Sequence, residues 1–183
     1  MTKKKTAILG VTGSIAAYKA GDIIRRLKEK GYDVSVVMTR EAEKFITPLT
    51  LKSLAGGAVY RDLFDDNDEA WDMSHIVLGR QADVLVIAPA TANIIGKIAG
   101  GLADDLLTCI AMATKASILI APAMNDEMYK NKFVQENIAK LKKNGIEFID
   151  PVRGELACGT TGVGHLADVT AIVEAVEKAT KKR

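Results

Sequence analysis

The sequence is poor in cysteine, histidine and tryptophan, has little net charge, and contains no long apolar run. Its two cysteines, Cys109 and Cys158, form no C-x-x-C pair, and the two histidines, His75 and His165, lie far apart. The ligand spacing of a structural zinc site is therefore missing. A single disulfide between the cysteines stays open as an alternative. A reduced cytoplasmic chain is the default for so little cysteine. The formal net charge is +2, so nothing argues for nucleic acid as a partner. The basic runs Lys3-Lys4-Lys5 and Lys181-Lys182-Arg183 sit at the ends and read as solvated tails. No apolar run approaches the roughly 20 residues that span a bilayer, so no membrane segment is expected. Lys3–Lys5 with the apolar stretch behind it imitates a signal peptide, but Gly10, Thr12, Gly13 and Ser14 break the stretch too early. There is no G-x-G-x-x-G, no internal repeat and no linker. What is there is ordinary globular material: 183 residues, 48% hydrophobic and 26% charged, enough for one domain with a sizeable core.

Strand and helix patterns alternate along the chain. Thr6 to Val11 is a short apolar run turned by Thr12-Gly13-Ser14. Ile15 to Lys30 carries apolar residues at helical spacing, and Gly31 stops it. Val34 to Met38 is the next strand. Thr39 to Leu54 reads as one or two helices broken near Pro48, and Ala58 to Phe64 holds a short strand at most. Asp65 to Glu69 is an acidic surface loop, and Met73 to Arg80 a helical turn or short helix. A strand from Val84, helical segments from Thr91 to Ala113, a strand from Ile118, and a helix to about Asn144 follow. Gly145 stops that helix before a last strand, Ile146 to Ile149. Asp150 to Leu166 reads as a long glycine-containing loop, and Asp168 opens a final helix running towards Lys178. Such alternation implies an α/β fold: a single doubly wound parallel sheet with helices on both faces.

In open α/β sheets, ligands bind at the carboxyl ends of the strands. Ile118 to Met128, I-L-I-A-P-A-M-N-D-E-M, is a buried strand emptying into a loop at that end. Pro122 stiffens the exit. Asn125 then either presents its amide to a ligand or merely caps the helix that begins near Asp126. The strand V-L-V-I-A-P, Val84 to Pro89, ends in the same Ala-Pro and leads to Thr91-Ala92-Asn93, so two strands deliver Pro and then Asn to one edge. The first turn, with Gly10, Gly13 and Ser14, reads as a phosphate loop in which glycines admit a ligand and Ser14 caps the helix. A plain tight turn is the rival. Asp33 precedes the second strand, and Thr39-Arg40 follows it. A hydroxyl and a cation suit a phosphate better than a ribose diol, so the edge favours a mononucleotide over NAD. His75 is either a packed or surface side chain or a base at the site. Trp71 fits core, interface or site. Cys158 sits among Gly154, Gly159, Gly162 and Gly164, as an acid, a nucleophile, a redox thiol, or part of a loop ordered at a subunit interface.

Five segments resemble one family. They are G-x-x-G-S-I-A-A-Y, S-H-I, A-T-A-N-I-I-G-K-I-A-G-G-L-A-D-D-L-L-T, P-A-M-N-x-x-M and L-A-C-G-x-x-G-x-G. Together, from Ile8 to about Leu166, they are similar to the homo-oligomeric flavin-containing cysteine decarboxylases. The resemblance implies a Rossmann-like, flavodoxin-like subunit that binds FMN between neighbouring subunits. It also implies a homotrimer, often assembled into a dodecamer, and phosphopantothenoylcysteine as substrate. His75 takes the position of the family's active-site histidine, and Asn125 that of the asparagine gripping the substrate carboxylate. Cys158 takes that of the cysteine that returns a proton when the reduced intermediate is resolved. Gly13, Ser14, Thr39, Thr91, Ala92, Asn93 and Met124 fall at flavin-contacting positions. Leu156, Ala157 and Gly159 fall on a clasp over the substrate. The chemistry implied is flavin oxidation of the thiol side to a thioaldehyde, loss of CO2 to an enethiolate, and return of a hydride.

Two departures are visible. Many bacterial members read G-R-M or G-R-L where this chain has Gly164-His165-Leu166. Many are also fused to a carboxy-terminal synthetase, so this chain is expected to be a stand-alone enzyme. The alternatives within reach are a peptidyl-cysteine decarboxylase, a flavin prenyltransferase, and a flavin-binding regulatory subunit without turnover.

Overall fold

The computed structural model describes residues 4–63, 74–155 and 161–181. Six parallel strands form its main sheet. They are β1 (Thr6–Val11), β2 (Asp33–Met38), β3 (Val59–Tyr60), β4 (Val84–Ala90), β5 (Ser117–Pro122) and β6 (Glu147–Phe148). Their order is β3-β2-β1-β4-β5-β6, all neighbours parallel. This is the doubly wound order whose direction reverses between β1 and β4, which leaves a crevice at their carboxyl ends.

The strands read as near-continuous apolar runs because both faces of the sheet are covered. Alternate residues serve opposite sides. Ala7, Leu9, Val11, Val84, Val86 and Ala88 pack into one core, with helices α1 (Ala20–Glu29), α2 (Pro48–Ala55) and α8 (Val169–Lys181). Ile8, Leu85, Ile87 and Ile120 pack into the other, with α3 (Ser74–Gln81), α4 (Ala92–Gly100), α5 (Leu106–Ala113) and α7 (Lys132–Lys143). Gly10 lies in β1 opposite α5. A Cβ there would stand 2.6 Å from Leu107 Cδ1, so the glycine lets the helix close on the strand.

Several boundaries differ from the pattern read in the sequence. The helix expected over Ile15–Lys30 begins as a 3-10 turn, Ile15–Lys19, before α1 takes over. The helix expected to run to Asn144 is two, because Asn131 intervenes. α6 (Asp126–Lys130) ends there, and the Asn131 side chain accepts from the Phe133 amide to start α7. The stretch from Asp150 to Leu166 contains an antiparallel pair, β7 (Val152–Glu155) and β8 (Thr161–His165). The acidic loop from Asp65 to Glu69 and Trp71 lie outside the described residues.

Candidate functional site

Four strand exits, those of β1, β2, β4 and β5, are stitched together at the crevice. The Thr12 hydroxyl donates to Pro89 O at 2.7 Å and accepts from the Thr91 amide at 3.1 Å. The Ala123 amide donates to Ala90 O at 3.0 Å, and the Thr39 amide to Val11 O at 3.0 Å. The exits of β1, β4 and β5 each then start a helix with its own side-chain cap. Ser14 Oγ accepts from the Ala16 amide at 3.4 Å, Thr91 Oγ1 from Ile94 at 3.4 Å, and Asn125 Oδ1 from Glu127 at 2.9 Å. Both readings of Asn125 therefore meet in one side chain: it caps α6, and it stands in the wall of a cavity.

That cavity has a volume of about 470 Å³, within the roughly 300–1,000 Å³ of small-molecule sites. Six expected residues line it: Gly13, Ser14, Thr91, Ala92, Met124 and Asn125. The sequence reading missed Tyr18, Lys19 and Met128, and noted His165 only as a departure; all four line it too. The helical spacing after Ser14 could have pointed to Tyr18 and Lys19, one turn further on. Among the described residues, no acidic side chain lines the cavity, whereas Lys19 and His165 do. The wall suits an anionic ligand.

Other expected positions are not in this wall. Thr39 follows β2 beside the first loop. Its Oγ1 is buried without a hydrogen-bond partner. Such an orphan costs about 1–3 kcal/mol and calls for a missing polar partner. Asn93 is exposed on the second residue of α4. His75 is half-buried in the first turn of α3, on the opposite face of the sheet from α1. Leu156, Ala157, Cys158 and Gly159 lie outside the described residues.

Gly13 lines the cavity, and it also has a packing reason beside the one read in the sequence. A Cβ on it would stand 2.4 Å from Glu41 Cβ. The bare position thus lets the chain after β2 press on the first loop, and so sets Thr39 beside it. The A-D-D-L-L-T stretch is likewise structural. Lys97 pairs with Asp104 at 2.8 Å and Asp105 at 2.9 Å, while Asp105 and Thr108 form a capping box that starts α5. Burial pushes the Asp105 carboxyl up, but hydrogen bonds from Thr108 and Lys97 outweigh it and hold the group below its ordinary range.

The loop holding Asn125 is also tied to β8. The Met124 amide donates to Gly164 O at 3.0 Å, and the Val163 amide donates to Asp126 Oδ1 at 3.1 Å. A hydrogen bond from Lys130 holds the Asp126 carboxyl below its ordinary range, and the Val163 amide adds to it. Among the described residues, no three His, Cys, Asp or Glu side chains gather as a metal site, and no helix is long and apolar enough to cross a membrane.

A family described as Flavoprotein matches residues 1–181. The chain belongs to the flavoprotein family. Within it, the chain is 46% identical over 174 residues to the coenzyme A biosynthesis bifunctional protein CoaBC of Vibrio vulnificus, covering 95% of this chain and 43% of that one. It is 44% identical over 180 residues to a probable phosphopantothenoylcysteine decarboxylase of Streptococcus mutans, covering 97% of this chain and 99% of that protein. This flavoprotein thus spans under half the length of its bifunctional relatives and nearly all of the streptococcal one. Among solved structures it resembles a cysteine-to-serine variant of a PPC decarboxylase complexed with pantothenoylaminoethenethiol. That match has a TM-score of 0.84 and 36% identity, and covers 96% of this chain and 98% of that one. The family read from the five sequence segments and the doubly wound fold are both borne out.

Proposed function

We propose that this flavoprotein is an FMN-dependent decarboxylase converting 4'-phosphopantothenoylcysteine to 4'-phosphopantetheine in coenzyme A biosynthesis. The observation that carries this reading is the position of Asn125, held by its own cap in a cavity that no acidic side chain lines among the described residues, beside the capped exits of β1 and β4. The full-length streptococcal relative and the complex of a related decarboxylase with an ene-thiol support it.

The residues present fit FMN. Gly13, Ser14, Thr91 and Ala92 supply the phosphate end, where two capped helix starts favour an anion. Thr39 would give its orphan hydroxyl a partner, and Met124 would pack on the ring. Asn93, exposed on the second residue of α4, would act on the flavin through the turn. Bound FMN supplies the two-electron oxidation that creates an electron sink for the leaving carboxylate, and afterwards returns those electrons. The chain's own work is positional. Asn125 orients the carboxylate through the donating end of its amide. The apolar flank of Met124 and Met128 disfavours a hydrated carboxylate there. Leu156, Ala157 and Gly159 would cover the substrate, and Cys158 would give up a proton in the closing reduction.

His75 is the assembly argument. It does not line the cavity of its own chain, so its role as an active-site histidine needs a neighbouring subunit. Ile15, Tyr18 and Met128 stay 55%, 59% and 49% exposed at the cavity rim, which fits a rim completed by a second copy. The chain is read as a homotrimer or a dodecamer of trimers, and as a cytoplasmic enzyme.

The test is to incubate purified protein with phosphopantothenoylcysteine and to weigh the product by mass spectrometry. Phosphopantetheine is expected, from a yellow protein that releases FMN and scatters light as a trimer or a multiple. A colourless protein that cannot be reconstituted, or decarboxylation of a peptide ending in cysteine instead, would contradict it.

A sharper check uses Thr39→Val. Removing an orphan hydroxyl costs the flavin-free chain nothing and removes a contact from the holoenzyme. FMN affinity should fall by roughly tenfold, as for one lost hydrogen bond. The flavin-free melting temperature should hold or rise. Unchanged FMN affinity would remove Thr39 from the flavin site.

A further inference from the structure

Asn125 is bracketed. On one side of it the Met124 amide donates to Gly164 O at 3.0 Å, and on the other Asp126 Oδ1 accepts from the Val163 amide at 3.1 Å. Both bonds reach the same strand, β8. The contact is tight enough to exclude side chains. A Cβ on Gly162 would stand 2.6 Å from Asp126 Cβ and Cγ, and one on Gly164 would stand 2.1 Å from Met124 O. The second oxygen of Asp126 is occupied as well, by Lys130 Nζ at 2.6 Å. The carboxylate is therefore oriented from two sides, and it is mostly buried, 16% exposed, although it stands at a helix start. An acid at the first turn of α6 would be explained by the helix dipole alone, an effect of up to about 2 kcal/mol at a partly buried site. The dipole does not explain why its carboxylate turns aside to take a backbone amide from another strand, or why that strand carries glycine at both contact positions.

We propose that Asp126 is a positioning residue of the decarboxylation, which, by holding the Val163 amide, fixes β8 against the loop that carries Asn125 and so sets the Asn125 amide for the substrate carboxylate. The inference rests on the function proposed above. Asp126 touches neither substrate nor flavin; it acts through Asn125 and β8. A charged acceptor facing a backbone amide makes a strong hydrogen bond. Its loss removes one of the two bonds described between β8 and the Asn125 loop, while the Met124–Gly164 bond remains.

Two variants separate the contact from the charge. Asp126→Asn keeps an acceptor oxygen for Val163 and gives up the ion pair with Lys130. Asp126→Ala gives up both. Hydrogen exchange in the full-length holoprotein reads the Val163 amide directly. Exchange should speed up by roughly ten- to hundredfold in Asp126→Ala, the loss of a hydrogen bond to a charged group. In Asp126→Asn it should stay close to wild type. Steady-state kinetics with phosphopantothenoylcysteine should follow the same order. Asp126→Ala should lose kcat/KM roughly tenfold or more, and Asp126→Asn should recover most of it, with FMN content equal in all three proteins. Unchanged Val163 exchange in Asp126→Ala overturns the contact. Faster exchange with normal kinetics overturns the positioning role. A wild-type protein that releases no CO2 overturns the reaction itself, and is seen before any variant is made.

Discussion

The exits of β4 and β5 look alike and behave differently. Both strands run out through Ala-Pro-Ala, and both are followed by an asparagine at the start of a helix. After β4, Thr91 takes the cap, so Asn93 falls on the second residue of α4 and points to solvent. After β5, one residue fewer separates proline from asparagine, and Asn125 becomes the cap itself, in the cavity wall. The spacing decides which exit puts an asparagine side chain in the cavity wall and which puts only a threonine and an alanine there. The β5 exit is also held from outside by β8, whereas the β4 exit is held by Thr12 and by the Ala123 amide.

The largest break in this comparison is Asn125→Asp. Asp caps a helix about as well as Asn, so stability should change by less than about 0.5 kcal/mol. A second negative charge in the pocket repels the substrate carboxylate, and at close range this is worth several kcal/mol. Decarboxylation should fall by roughly a hundredfold or more while FMN is retained. Substrate titration with product analysis checks both numbers.

Gly164→Ala comes next. The added methyl meets the Met124 carbonyl, so β8 must move off the β5 exit. Overpacking of this kind costs about 1–3 kcal/mol. Thermal unfolding should show that loss, and kcat/KM should drop with it. Among the described residues the same substitution has no counterpart at the β4 exit, where no glycine of β7 or β8 makes such a contact.

Thr91→Ala removes a cap from α4 and should cost about 1 kcal/mol, read by denaturant unfolding, with a modest weakening of FMN. The smallest effect is expected for Asn93→Asp, an exposed first-turn substitution that should stay within about 0.5 kcal/mol and leave turnover intact. Equal losses at Asn93 and Asn125 would erase the distinction between the exits.

Much of this fold was legible because parallel strands covered on both faces are written as short apolar runs. β1, β2, β4 and β5 fall where those runs stand. The hairpin was not legible. Gly154, Gly162 and Gly164 resemble a loop, yet two of them are glycine because Asp126 and Met124 press on the strand. The break between α6 and α7 carries neither glycine nor proline; only the Asn131 cap makes it. At the site, Gly13, Ser14, Thr91, Ala92, Met124 and Asn125 come together as expected, because each follows the carboxyl end of a strand. The glycines of the first loop were assigned to ligand approach; Gly10 and Gly13 also make room for Leu107 and Glu41, a packing need that the sequence did not show. His75 lies on the other face of the sheet, and no pattern within one chain could have shown which cavity it serves.

The central claim is that the amide of Asn125 positions a carboxylate for loss. Stopped-flow absorbance of the flavin on mixing with phosphopantothenoylcysteine tests it most directly, with wild type and Asn125→Asp side by side. The account predicts bleaching and recovery in the wild type, and a flavin that stays oxidised in a normally folded, FMN-loaded variant. Bleaching of the variant at the wild-type rate would contradict it.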